Sequence, residues 1–169
     1  AFLSQMNQYI SATFDYEALI ETPEGLCYES IQAKHIVFTE GFGIHKNPYF
    51  KQLPLEGTKG ELITVYAPQL QLTPILKSSI FVIPMEGDHY LVGSTYEWTD
   101  KTNIPTSEAK SQLLEKLERL VTCDFEVVNQ RAGIRPTVSD RRPLVGRHPN
   151  HQKMYVLNGL GTRGVLIAP

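Results

Sequence analysis

The sequence contains little of what marks secreted or membrane proteins. Only two cysteines occur among its 169 residues, too few for a disulfide framework, so free thiols in a reducing compartment are expected. It has no run of about 18 apolar residues that could span a membrane. Its first residues lack the charged and apolar regions of a secretion signal. We therefore expect a cytoplasmic protein with no transmembrane segment.

A large excess of charge of either sign is also missing. Lys and Arg total 16 and Asp and Glu total 18, so the formal net charge is −2. No basic surface for nucleic acid is therefore expected. With 41% hydrophobic and 20% charged residues, the chain is typical of a folded protein. Its length suits one domain, or one domain and a fragment. The lack of an initial methionine and of a polar tail predicts a piece of a longer chain.

The chain lacks the short motifs of several enzyme classes. It contains no P-loop, no G-x-G-x-x-G turn and no G-x-S-x-G elbow. Among its histidines only His148 and His151 lie close together, and no cysteine or carboxylate joins them at metal-ligand spacing. Cys27 and Cys123 fall in or beside predicted strands. We predict neither a metal site nor a catalytic side chain.

Hydrophobic patterning predicts mostly strands. The predicted strands cover 13–20, 26–32, 34–39, 59–67, 79–85, 89–96, 125–132 and 153–157. The continuous apolar run at 34–39 is typical of a strand buried on both faces, as in a parallel sheet. One helix of about 15 residues is predicted after Thr106, a suitable N-cap, because apolar residues from Ala109 to Val121 recur on one face. We therefore predict an α+β fold, with a mainly antiparallel mixed sheet flanked by a helix.

Arg135 is the first candidate for a binding residue. Pro136 follows it and biases its backbone to an extended conformation, from which a side chain at a strand end can reach across a cleft. Arginine binds a planar carboxylate through two parallel hydrogen bonds. The sequence leaves two alternatives open: an exposed arginine beside a turn, or an ion pair with Asp140.

A glycine-rich segment near the end is the second candidate. Gly159, Gly161 and Gly164 follow an apolar strand and precede an apolar run. Glycine lets the backbone approach a flat ligand closely and point its N–H groups at it. If Gly164 opens a helix, the N-terminus of that helix would favour negative charge. The alternative is a strand-to-helix turn with no ligand.

Together and in this order, these segments resemble the C-terminal half of the FAD-dependent oxidoreductases of the D-amino-acid oxidase superfamily. The glycine oxidase and sarcosine oxidase branch is the most similar. Further segments that carry the resemblance are Ala33–Gly41, Lys59–Glu61, Val82–Pro84 and Val92–Glu97. The resemblance implies FAD as cofactor and a small-molecule amine or amino acid as substrate. It implies oxidation of a C–N bond by hydride transfer to the flavin, which asks for no acid–base side chain.

The resemblance also implies roles for individual residues. Arg135 would bind the substrate carboxylate, with Phe81 at a substrate-binding position; Trp98 is a candidate for an apolar pocket wall, or an exposed aromatic. Contact with FAD would fall on Gly133, Arg135, Gly159, Leu160, Gly161, Thr162, Arg163, Gly164 and Val165. Residues 1–45 would supply strands of the FAD-binding domain, 46–135 the substrate-binding domain, and 136–169 a truncated flavin-facing segment.

The sequence departs from the family's pattern in three ways. Phe81 stands where glycine oxidase-like members carry a tyrosine, and Met85 where an arginine is usual. A phenylalanine cannot donate a hydrogen bond, which favours a substrate other than an ordinary small amino acid, a substrate without a carboxylate, or a non-catalytic binding module on the same scaffold. The family's G-x-G-x-x-G segment is absent, so these 169 residues alone are expected to bind FAD weakly and to be inactive.

Overall fold

The structure is a computed structural model that describes residues 9–164, except for the side chain of Arg163. In chain order its elements are β1 (Leu19–Glu21), β2 (Leu26–Tyr28), β3 (Ile31–Ala33), β4 (Ile36–Phe38), β5 (Thr58–Tyr66), β6 (Leu76–Lys77), β7 (Phe81–Pro84), β8 (His89–Gly93), α1 (Ser107–Glu118), β9 (Glu126–Arg135), β10 (Leu144–Arg147) and β11 (Met154–Asn158). Short 3₁₀ helices cover Tyr16–Ala18, Gly41–Lys46 and Gly161–Arg163.

The described chain divides into two compact units. The first takes residues 9–52 and Val145–Leu157, and the second takes Leu53–Leu144 and residues 158–164. Most strand pairs are antiparallel, and within residues 9–164 the strands are accompanied by one α-helix, α1. The predicted α+β fold with a mainly antiparallel sheet is therefore confirmed. Within residues 9–164, no helix is long and apolar enough to cross a membrane.

The first unit contains two small sheets. Strands β1, β2 and β3 form an antiparallel sheet, and β10, β11 and β4 form another in that order. Strand β4 runs parallel to β11, as its apolar run predicts, but Val37 at its centre is 54% exposed, so burial on both faces is wrong. The strand predicted at 13–20 begins only at Leu19, because the Asp15 side chain accepts the N–H of Glu17 and starts a 3₁₀ turn.

The second unit is built on an antiparallel sheet with the strand order β6-β7-β8-β5-β9. Because side chains alternate along a strand, each strand has one row facing α1 and one row facing away. The α1 side carries the core, which contains Ile63, Val65, Val82, Val92, Leu113 and Leu117. The opposite side of the same sheet is therefore the one that remains for a ligand.

Helix α1 begins where the sequence predicts. The Thr106 hydroxyl accepts the N–H of Ala109 at 3.2 Å, and it also donates to the Glu61 carboxylate of β5 at 2.9 Å. The helix ends at Glu118, earlier than predicted. The apolar pattern runs on because Val121 packs into the same core from the turn that follows.

Buried charges fasten the loop before α1 to β5. The Lys59 ammonium is 1% exposed and donates to Asp100 at 2.5 Å, while its distance to the Glu61 carboxylate is 3.5 Å. Burial lowers the pKa of Lys59, but its hydrogen bond to Asp100 and the two acidic charges outweigh burial and leave that pKa raised. The same hydrogen bond lowers the pKa of Asp100 to about 2. These contacts hold the loop that carries residues 94–106 in a fixed position.

Candidate active site

The face of the second unit's sheet opposite α1 carries two glycines and borders a cavity. Strand register pairs Leu62 with Arg131, Gly60 with Gly133 and Thr58 with Arg135, and alternation places these residues on the face away from the core. A cavity of about 640 Å³ lies there, a size typical of small-molecule sites. Its walls are formed by Gly60, Leu62, Phe81, Ser94, Tyr96, Arg131, Ala132, Gly133, Ile134, Arg135, Gly161 and Thr162.

The Arg135 side chain crosses the sheet and is held at its tip. Its Nη2 donates to the Ser94 hydroxyl at 2.7 Å, and both Nη1 and Nη2 donate to the Thr95 carbonyl at 3.3 Å. Its Cζ lies 4.5 Å from the centre of the Tyr96 ring, a cation–π contact. Burial lowers the pKa of the guanidinium, yet arginine stays charged in proteins. The site therefore holds a fixed, half-buried cation.

Gly60 makes this crossing possible. A Cβ at position 60 would lie 2.0 to 2.2 Å from three guanidinium atoms of Arg135, much closer than the roughly 3.5 Å of ordinary contact. The loop that receives the guanidinium is also tied to β5. The Thr95 hydroxyl accepts the N–H of Glu61 at 2.9 Å, and the N–H of Thr95 donates to the Glu61 carbonyl. Strand β5 thus positions both the arginine and its acceptors.

The glycine-rich loop has a backbone that other residues would strain. Gly159 and Gly161 have φ values of +68° and +56°, in the left-handed region that glycine tolerates. A Cβ on Gly159 would lie 2.7 Å from Val138 Cγ2. The Gly159 N–H donates to Asn158 Oδ1 at 2.8 Å and that of Gly161 to the Pro136 carbonyl at 2.9 Å. These two N–H groups shape the loop.

A second cavity, of about 630 Å³, lies beside this loop. It is lined by Thr58, Tyr96, Trp98, Thr137, Val138, Ser139, Arg141, Gly159, Leu160, Gly161 and Thr162. Tyr96, Gly161 and Thr162 line both cavities, so the two adjoin. Aromatic rings and glycine backbone are surfaces against which a flat ring system packs closely, so this cavity fits a planar cofactor.

The structure brings most of the predicted site residues to these cavities. The first cavity is lined by Phe81, Gly133 and Arg135, the second by Trp98, Gly159 and Leu160, and both by Gly161 and Thr162. Trp98 is 57% exposed. Gly164 takes helical φ and ψ but lines neither cavity. Val165 and the side chain of Arg163 lie outside what the structure describes.

The structure answers one alternative for Arg135 and shows where Met85 and Phe81, two of the departures from the family's pattern, lie. Among the described residues Arg135 forms no ion pair with Asp140, whose carboxylate instead accepts the N–H of Arg142 at 3.0 Å. Met85 is 48% exposed beyond the end of β7, and it lines neither cavity. Phe81 does line the first cavity, where it offers a ring and no hydrogen-bond donor.

Several site residues were missed from the sequence: Gly60, Ser94, Thr95, Tyr96 and Arg131. A signal existed for two of them. An isolated glycine inside a strand pattern indicates close approach of another group, which describes Gly60. Arg131 lies four positions before Arg135, and an even spacing along a strand puts two side chains on one face.

Fold and site together define a class: an α+β unit that places a fixed cation beside a cavity lined by aromatic rings and glycine backbone. The sequence model of the DAO family, described as FAD dependent oxidoreductase, matches residues 14–169. The chain belongs to this family of FAD-dependent oxidoreductases, as its resemblance predicts.

Individual curated proteins similar to this chain are glycine oxidases. The glycine oxidase of Bacillus subtilis strain 168 is 29% identical over 163 residues, which cover 92% of this chain and 42% of that protein. The glycine oxidase of Pseudomonas putida is 31% identical over 123 residues, which cover 70% of this chain and 33% of that protein. The chain thus spans less than half the length of these relatives.

Solved structures share the fold. The glycine oxidase of Geobacillus kaustophilus superposes with a TM-score of 0.69 at 23% identity, over 89% of this chain and 41% of that one. The iminodiacetate oxidase of Chelativorans sp. BNC1 gives a TM-score of 0.70 at 22% identity, over 88% of this chain and 44% of that one. At these identities the similarity establishes the fold.

Proposed function

We propose that the protein containing this chain oxidises a C–N bond of an amine or amino acid with FAD. The observation that carries the proposal is the guanidinium of Arg135, fixed by Ser94, Thr95 and Tyr96 in a cavity that adjoins a cleft for a flat ring. Family membership supports the redox chemistry. Relatives named glycine oxidase and iminodiacetate oxidase support a substrate that has both an amine and a carboxylate.

Arg135 would anchor the carboxylate of such a substrate. A guanidinium has five N–H donors, and Arg135 uses three hydrogen bonds to Ser94 and the Thr95 carbonyl. The two N–H groups that remain, one on Nε and one on Nη1, lie on different edges of the guanidinium, so Arg135 would donate one charge-assisted hydrogen bond to a substrate carboxylate. Because its own acceptors are neutral, the positive charge of Arg135 is left for the ligand. This is why the residue would bind substrate instead of stabilising the fold.

The second cavity would take the flavin ring. Tyr96, Trp98 and the backbone of Gly159–Gly161 supply flat surfaces, and the loop's peptide dipoles would favour negative charge on the ring. When bound, FAD supplies the acceptor for the hydride that leaves the substrate's α-carbon. This chain's residues would bind and orient the substrate. No Asp, Glu, His or Lys lines either cavity within residues 9–164.

The proposal extends to the organisation of the chain. Residues 1–45 would contribute strands to the FAD-binding domain, 46–135 would form the substrate-binding domain, and 136–169 would face the flavin. We also propose that the protein is cytoplasmic. Because the 169 residues contain no G-x-G-x-x-G turn, they would retain little FAD by themselves, and flavin absorbance that survives gel filtration of this chain would contradict that.

Anaerobic reduction tests the proposed function. The complete gene product, loaded with FAD, is mixed without oxygen with a panel of amino acids and amines. Loss of the flavin absorbance near 450 nm by at least one of them is expected. The competing function is a non-catalytic binding module, favoured by the donor-free Phe81 ring in the cavity. Failure of every compound to bleach the flavin, with carboxylate binding retained, would support that module instead.

A further inference from the structure

Arg131 presents a second cation to the substrate cavity. It lies on β9 opposite Leu62, four residues before Arg135, and lines the same cavity of about 640 Å³. Four residues of strand span about 13 Å. Between the two arginines lies Gly133, where an added Cβ would have nothing within 4 Å. The floor between the two guanidinium groups is therefore open to a ligand.

The two arginines differ in what already binds them. Arg135 is half-buried and held by Ser94, Thr95 and Tyr96. Arg131 is exposed, and in the part of the chain that the structure describes it has no hydrogen bond or ion pair. No acidic residue lines the cavity within that part. Two positive charges thus face one cavity without a counter-charge, in a protein whose formal net charge is −2.

We propose that Arg131 selects substrates with a second carboxylate, so that the substrate is a dicarboxylic amine or amino acid anchored at both ends. This rests on the proposed function, in which Arg135 binds the first carboxylate. Phe81, at the wall of the same cavity, cannot donate a hydrogen bond to the first carboxylate. A second charge-assisted contact at Arg131 compensates for that missing donor, because hydrogen bonds to ionised groups are about twice as strong as neutral ones.

Calorimetric titration of the FAD-loaded complete gene product tests this without turnover. The probes are butyrate and glutarate, which differ by one terminal carboxylate. Glutarate is expected to bind at least tenfold more tightly than butyrate. Arg131→Met is expected to abolish that difference. Arg147→Met removes the same charge from an exposed position on β10 and is expected to leave both affinities unchanged.

The outcomes separate this inference from the proposed function. Equal affinity of the wild type for both probes would overturn the role of Arg131, and so would an Arg131→Met variant that still prefers glutarate tenfold. Arg135→Met should weaken both probes. If it weakens neither while Arg131→Met still abolishes the glutarate preference, the Arg135 anchor of the proposed function fails, and only the selection of a second carboxylate by Arg131 stands. Exposure of Arg131 means that folding is expected to be unaffected, which the melting temperature checks.

Discussion

Gly60→Ala offers a sharp test of how the site is built. The new methyl group would lie 2.0 Å from Nη2 of Arg135 and 2.2 Å from its Cζ and Nη1. Because ordinary contact needs about 3.5 Å, the guanidinium must retreat by roughly 1.5 Å. The atoms in the way belong to the far end of a flexible side chain, so the backbone of β5 need not move. The variant is expected to fold.

The retreat breaks the contacts that aim Arg135. The hydrogen bond to Ser94 at 2.7 Å and those to the Thr95 carbonyl at 3.3 Å cannot survive such a shift. A misplacement of about 1 Å can cost about a hundredfold in rate, which corresponds to about 2.7 kcal/mol. We therefore expect kcat/KM for a carboxylate substrate to fall about a hundredfold.

The assay compares two substrates in the complete gene product. The fall is expected for an amino acid and should be much smaller for the corresponding amine without a carboxylate. Gly146→Ala is the control, since an added Cβ on that β10 glycine has nothing within 4 Å. An unchanged kcat/KM for the amino acid, or an equal fall for both substrates, would refute the reasoning.

Three further predictions concern the buried network that fixes the loop before α1. Lys59→Met leaves the buried Glu61 carboxylate without its cation, so unfolding in urea should show a loss of about 3–5 kcal/mol. Asp100 has a pKa of about 2 in the folded state against about 3.9 in the unfolded state. The ionised carboxylate therefore stabilises the folded state fully above about pH 4, and this stabilisation disappears as the pH falls towards 2. Asp100→Asn should remove that part of the pH dependence of the free energy of unfolding. Thr106→Ala removes the helix N-cap and a hydrogen bond to the buried Glu61 carboxylate, so it should cost at least about 1 kcal/mol. Ser111→Ala on the exposed side of α1 should change stability by less than about 0.5 kcal/mol.

The start of helix α1 could be predicted because the residues that determine it are neighbours in the sequence. Helix α1 has an N-cap at Thr106 and an apolar row on one face, and both are visible in the sequence. Its end was placed too late because Val121 continues the apolar row from a turn that packs on the same core. The 3₁₀ turn at Tyr16–Ala18 was missed because residues 13–20 have the composition of a strand. The hydrogen bond from the Glu17 N–H to the Asp15 side chain favours the turn instead.

The site was predictable only in part, because its geometry depends on strand register. Pro136 and the extended backbone before it pointed to Arg135 at a strand end. The acceptors of Arg135 come from Ser94 and Thr95, about 40 residues earlier in the chain. Gly60 becomes meaningful only when β5 and β9 are paired so that the guanidinium passes over it. No local pattern contains that information.

The central claim is that Arg135 anchors the carboxylate of an amine substrate. The most direct measurement is the Michaelis constant of the FAD-loaded complete gene product, wild type and Arg135→Met, for its carboxylate substrates. Loss of a charge-assisted hydrogen bond of about 1.5–3 kcal/mol predicts that KM rises at least tenfold for every one of these substrates, with the flavin still bound. A KM that is unchanged for every carboxylate substrate would contradict the account.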